Sequence, residues 1–233
     1  MNLNPFERFY LDTQIFNFTL LPNSLPKKYG NVKKIPLPTP IEINVSFQEV
    51  MKRRHSSRAF RRERINLNKI SSLLWYSVGV KEIENGIQFR MFPSAGNLAE
   101  TEVYLISLYT DLEKGVYHYD PVEGSLDVLS NDLDEELMLQ AIKNSLPDIT
   151  FVPLIILLTS LYWKPMVKYG NRGARFSLID TGIVIENFYL VATALGLGIS
   201  AIGGFNDDFF NKLIGVGMEK GEVVIGMLVV GEE

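Results

Sequence analysis

The 233-residue chain has no cysteine and only two histidines, His55 and His118. Without thiols there are no thiolate nucleophiles, disulfides, thiol redox couples or cysteine-ligated zinc and iron–sulfur centres. Two histidines cannot build a three-histidine metal site, so no metal is expected. The longest nearly apolar run, 151–163, falls short of the roughly 20 residues that a spanning helix needs. The start, Asn2-Leu3-Asn4-Pro5, has neither the basic stretch nor the apolar run of a signal peptide. No membrane association and a cytoplasmic, reducing location are therefore expected. Demanding chemistry falls to a bound organic cofactor, or to acid, base and hydroxyl groups.

What is present is the composition of a globular protein, with 46% apolar and 21% charged residues and a net charge of −4. The charge is uneven. Residues 1–64 hold 12 Lys+Arg against 5 Asp+Glu, and the remainder holds 11 against 22. Seven of those cations fall within 52–64. Such a run is commonly a solvated helix end, and its sharper reading is an anion site. The acidic remainder and the lack of a stacking-aromatic motif speak against nucleic acid and for a small phosphorylated ligand.

Two regions are expected. Residues 1–44 carry six of the eleven prolines together with Phe6, Phe9, Tyr10, Phe16 and Phe18. They read as an arm without regular structure after Leu21, lying over the chain's own core or over a second subunit. Residues 45–233 read as the folded domain. Ser46 with Glu49 has capping-box spacing for a helix over 47–54, and a second helix fits 68–78, stopped by Gly79. Strands are expected at 102–109, at 151–160, and on either side of Asp120-Pro121-Val122-Glu123-Gly124, a hairpin signal. Helices fit 132–144 and 207–214. The run 178–195 is an almost wholly apolar helix for the domain centre, with Asp180 and Glu186 needing partners. Strands at 199–203 and 223–230 complete a mixed order that favours an α+β fold.

Several motifs fail. Gly196-Leu197-Gly198 with Gly203 has the wrong spacing for a dinucleotide fingerprint and follows a helix. His118, between Tyr117 and Tyr119, reads as a structural strand residue. Four segments remain. Arg53-Arg54-His55-Ser56-Ser57-Arg58-Ala59-Phe60 offers guanidinium forks, an imidazole and hydroxyls suited to phosphate. Pro93-Ser94-Ala95-Gly96-Asn97 is a small-residue loop that lets a planar ligand approach the backbone, with Asn97 able to pair at a ring edge. The others are Lys168-Tyr169-Gly170-Asn171-Arg172-Gly173-Ala174-Arg175-Phe176 and Ile202-Gly203-Gly204-Phe205. Singly, each also fits an ordinary turn or helix end.

Together these segments resemble the nitroreductase superfamily of FMN-dependent oxidoreductases, and within it the SagB-type, thiazole/oxazole-oxidase-like dehydrogenases. The central signature extends through Asp180, Gly182, Phe188, Leu190, Ala192 and Ala194. The resemblance implies a mostly antiparallel sheet flanked by helices, in a homodimer with FMN at the subunit interface. It implies that Arg54, His55, Ser56 and Arg58 hold the FMN phosphate and ribityl oxygens. Pro93, Ser94, Ala95, Gly96 and Asn97 would line the flavin from the opposite subunit, and Gly203 and Gly204 would present backbone to its ring. The implied reaction is hydride transfer through flavin N5, from NAD(P)H to a small-molecule acceptor. In the azoline-oxidising subgroup, a Lys-Tyr pair is implicated in proton removal from a peptide substrate. Lys168 and Tyr169 are the corresponding catalytic candidates, or else a surface lysine and a packing tyrosine. A non-catalytic flavin-binding protein is the third reading. The chain departs from the pattern at 97–100, where a bulky aromatic–proline pair is replaced by Asn97-Leu98-Ala99-Glu100. It also lacks a basic tail after Gly231, a charge that Arg172 or Arg175 would have to supply.

Overall fold

The computed structural model describes residues 3–15, 18–19 and 27–233. Phe16, Pro22 and Pro26 of the expected arm lie outside them. The arm begins with helix α1 (Pro5–Asp12), closed by a reciprocal capping box between Asn4 and Glu7 with proline in the first turn. Next comes β1 (Lys34–Pro36), a strand that the prolines hid from view. It pairs only with the hairpin's second strand, so Pro36 sits at a sheet edge where a missing N–H is tolerated.

Helix α2 (Phe47–Arg53) starts where Ser46 accepts the Glu49 N–H, and α3 (Leu67–Val78) starts at the Asn66 cap. An unanticipated hairpin, β2 (Val80–Glu84) and β3 (Ile87–Arg90), turns at Asn85-Gly86. Strands β4 (Thr101–Ser107), β5 (Gly115–Asp120) and β6 (Ser125–Ser130) then precede α4 (Glu135–Ile142) and β7 (Leu154–Ser160). A short unforeseen helix α5 (Trp163–Tyr169) abuts α6 (Arg172–Ala194), which begins six residues earlier than the apolar run. The remaining elements are β8 (Leu197–Ile202), α7 (Asp207–Leu213) and β9 (Val223–Glu232).

The seven-stranded sheet has the order β1-β6-β5-β4-β7-β9-β8, and every pairing is antiparallel. Alternate residues of β4 supply its two faces. Val103 and Leu105 pack with Leu73 and Leu74 of α3 and Val184 and Phe188 of α6. Tyr104 and Ile106 pack with Met138 and Ile142 of α4 and Phe210 of α7. Helices thus cover both faces, which is why β4 and β7 are buried throughout although the sheet is antiparallel. By length and composition α6 meets the test for a membrane-spanning helix, but one face of it is core of this domain.

Two ionic groups are sealed into the second face. His118 lies fully buried on β5, with Nε2 2.9 Å from Glu102 and Nδ1 3.1 Å from Asp127. Burial alone would lower its pKa, but these two carboxylate bonds outweigh burial and raise it, as the sheet role expected for this histidine requires. Nearby, Glu222 accepts from Tyr104 Oη at 2.8 Å, Thr159 Oγ1 at 2.7 Å and the Lys27 ammonium.

The described part of the arm rests on its own chain. Arg172 donates to Gln14 O, and Arg175 to Tyr10 O and Thr13 Oγ1. Both guanidiniums therefore hold the arm at the start of α6, and neither replaces a basic tail beside the 54–58 segment. Phe6, Ile15 and Phe18 remain exposed.

Candidate functional site

The end of α2 delivers the first half of the site. Arg54 leaves the helix as its C-cap, half-buried, with its guanidinium 5.4 Å from the centre of the Tyr189 ring. The Tyr189 hydroxyl meets Ser56 Oγ at 3.0 Å and accepts the Ala201 N–H at 2.7 Å. Ser57 N–H donates to Ile199 O, so the segment is fastened to β8. Tyr189 fastens it from α6, a role that sequence reasoning missed. The available signal was a tyrosine hydroxyl on the chain's long apolar helix.

His55 faces outward, with Nδ1 2.9 Å from Arg53 O and Nε2 2.6 Å from Glu233. The Arg53 contact first, then Glu233, raises its pKa. Arg58 is exposed and lines a cavity of about 400 Å³ with Ala59, Ser145, Leu146, Pro147, Asp148 and Ile149. Ser145 Oγ accepts the Gly204 N–H at 2.7 Å, which ties the glycines that follow β8 to a residue of this cavity. Gly203 is exposed, with open space where a side chain would stand. Among the described residues neither Arg54 nor Arg58 has a carboxylate partner. Two guanidiniums without carboxylate partners, serine hydroxyls and bare glycine backbone, all carried by the 54–58 segment and the elements it is fastened to, suit a planar ligand bearing a phosphate.

The second half is built at the start of α6. Asp180 was expected to need a partner, and its Oδ2 accepts the Ala95 N–H at 2.7 Å. Gly96 has φ +62°, and its carbonyl accepts from Lys168 Nζ at 3.1 Å. A Cβ on Gly96 would meet the Tyr169 hydroxyl and the Lys168 ammonium and push these side-chain ends aside, and its positive φ favours glycine in any case. Ser94 Oγ accepts the Ala99 N–H, and Pro93 is exposed. Asn97 Nδ2 donates one hydrogen to Gln88 O of β3 at 3.0 Å, which fixes the amide and leaves its second N–H and its Oδ1 for other partners. Burial, then Asp180, raises the pKa of Tyr169.

The structure thus brings 54–58 together with 203–204, and 93–97 together with Lys168 and Tyr169, but holds the two groups apart. Their anchors on α6, Tyr189 and Asp180, are nine residues and hence ~13 Å apart along the axis. A larger cavity of about 500 Å³, lined by Lys27, Trp163, Lys164 and Glu222 among others, shares no side chain with any of the four segments.

The sequence model described as "Nitroreductase family" matches residues 51–232. The chain belongs to this family. The nitroreductase-named protein MJ1384 of Methanocaldococcus jannaschii is 32% identical over 187 residues, covering 79% of this chain and 91% of that one. The microcin B17-processing protein McbC of Escherichia coli is 27% identical over 128 residues, 53% of this chain and 47% of McbC. In structure, a nitroreductase-type protein of Ralstonia eutropha superposes with a TM-score of 0.71 at 23% identity, over 94% of this chain and 98% of that one. The family resemblance read from the motifs is the relationship these comparisons show, and the α+β fold is the family's. The chain is accordingly a nitroreductase-fold oxidoreductase, and the family generally binds flavin.

Gly96 offers a direct test of the loop geometry. Gly96→Ala should destabilise the protein by about 1–2 kcal/mol through its left-handed backbone alone. It should also displace Lys168 and Tyr169, whose flexible ends would yield first. Denaturant unfolding would measure the first effect. A loss below about 0.5 kcal/mol would contradict the loop conformation.

Proposed function

We propose that the chain binds FMN and transfers hydride from NAD(P)H to a small-molecule acceptor, working as a homodimer in the cytoplasm. The observation that carries this reading is the pair of guanidiniums, Arg54 and Arg58, which lack carboxylate partners among the described residues: Arg54 lies over Tyr189, and Arg58 lines the cavity whose Ser145 holds the Gly204 N–H. FMN, when bound, supplies the two-electron chemistry at flavin N5 that a chain without thiols lacks. Arg54, Ser56 and Arg58 would hold its phosphate, and the bare backbone at Gly203 would admit its ring. The 93–97 loop would close the other side.

Within one chain the two halves are anchored nine residues apart on α6, and the family resemblance assigns the 93–97 loop to the opposite subunit. A second copy supplies the missing half, and the exposed Leu178 and Ile179 on α6 give it an apolar surface to cover. The expected result is a yellow protein of twice the chain mass whose absorbance bleaches on anaerobic titration with NADH or NADPH. A colourless protein that cannot be reconstituted with FMN would overturn the proposal.

A second reading is favoured by one contact. Lys168 Nζ bonds the Gly96 carbonyl, which supports a reading in which the Lys-Tyr pair, beside a loop that would line the flavin, removes a proton as hydride leaves a peptide azoline. The similarity to McbC points the same way. Normal azoline oxidation by the Lys168→Ala, Tyr169→Phe double variant would remove this catalytic role.

A further inference from the structure

Glu100 stands just before β4, in the stretch where the chain departs from the family pattern. It is fully buried, and among the described residues neither carboxylate oxygen receives an N–H or O–H. Its side-chain neighbour is Asp180 of α6, itself 4% exposed and already holding the Ala95 N–H. Two carboxylates in contact away from water cannot both stay ionised, and a hydrogen bond between two acceptors needs one proton. The Ala95 N–H favours ionised Asp180, which leaves the proton on Glu100. Burial first, then the Asp180 charge, raises Glu100 to about 8.

Other groups face the pair. The buried ammonium of Lys164 on α5 opposes the shift on Glu100. Glu102 on β4 and Arg90 on β3 act on Lys164 from beyond, and Tyr169 on α5 faces Asp180.

We propose that Glu100 and Asp180 share one proton and are the positioning pair of the candidate active site. With the proton in place, Asp180 anchors the 93–97 loop beneath Lys168 and Tyr169. When it leaves, repulsion between the two carboxylates loosens that anchor. Neither group touches substrate in this scheme; both act through Ala95 and Gly96. The inference rests on reading 93–97 as a flavin-binding loop.

The test follows the Ala95 amide resonance of [15N]alanine-labelled protein from pH 6 to 10, with an FMN titration at each pH. In the wild type the resonance should move with a midpoint near 8. FMN affinity should fall roughly tenfold on the alkaline side, about the worth of one charge-assisted hydrogen bond. Glu100→Gln should abolish both changes, because its amide donates to Asp180 at every pH. A flat Ala95 profile in the wild type, or an unchanged midpoint in Glu100→Gln, would overturn the proposal. An Ala95 transition in a protein that binds FMN at no pH would uphold the pair and sink the flavin reading. FMN binding without the transition would do the reverse.

Discussion

FMN affinity should fall by about 10²–10⁴-fold when Arg54 and Arg58 are both replaced by alanine, while riboflavin, which has no phosphate, should lose far less. A charge-assisted contact is worth about 1.5–3 kcal/mol, so two together give ~3–6 kcal/mol, which converts to that range. The two arginines differ in their surroundings. Arg58 is exposed on its cavity wall, so its share should fade with added salt. Arg54 is half-buried over Tyr189, and removing it also forfeits a cation–π contact of about 0.5–2 kcal/mol. Flavin fluorescence titrations of both ligands at two salt concentrations would measure these effects. An unchanged ratio of FMN to riboflavin affinity in the double variant would show that the phosphate binds elsewhere.

Glu222→Ala should be the most damaging of the single changes considered, with a loss of about 3–5 kcal/mol in unfolding free energy. The carboxylate is buried and accepts three bonds at once, from Lys27, Tyr104 and Thr159. Its removal leaves the Lys27 ammonium without a countercharge and Thr159 Oγ1 without its acceptor, while Tyr104 Oη keeps Lys27 and Tyr29. Lys27→Met should also be costly but less so, because the buried Glu222 carboxylate loses its countercharge yet keeps the Tyr104 and Thr159 hydroxyls. Denaturant unfolding of both variants would check the order. A loss below about 1 kcal/mol for Glu222→Ala would mean that water already reaches this cluster.

The parts of the fold that could be read in advance are those where burial writes a period into the chain. Strands β4 and β7 and the hairpin β5–β6 stood out because whole runs of residues are inside, and α6 because it is nearly all apolar. The elements that escaped notice lack that imprint. Strands β2 and β3 bury almost nothing, although Asn85-Gly86 is a hairpin turn by composition. Helix α5 was masked by Pro165, which its first turn tolerates because no N–H is needed there. Strand β1 is three residues among prolines, held by a neighbour 90 residues away.

The site divides in the same way. The residue types at 54–58, 93–97 and 203–204 announced a phosphate and a flat ring. Their distribution between the two ends of α6 depends on helix length and packing. The partner that Asp180 required lay 85 residues upstream at the Ala95 N–H, a distance over which local patterns carry no information.

The sheet order also bears on how the molecule is made. Strand β9 comes last of the nine in sequence, yet it lies between β7 and β8, and β8 has no other neighbour in the sheet. Until β9 is available, β8 hangs free, and with it the seat on which Ser57 and Tyr189 fasten the anion-binding turn. On the ribosome, therefore, β4 through β7 can associate early, whereas the cofactor-facing wall must wait for the final strand to insert between two elements already made. That long-range closure, rather than helix formation, should set the pace of folding.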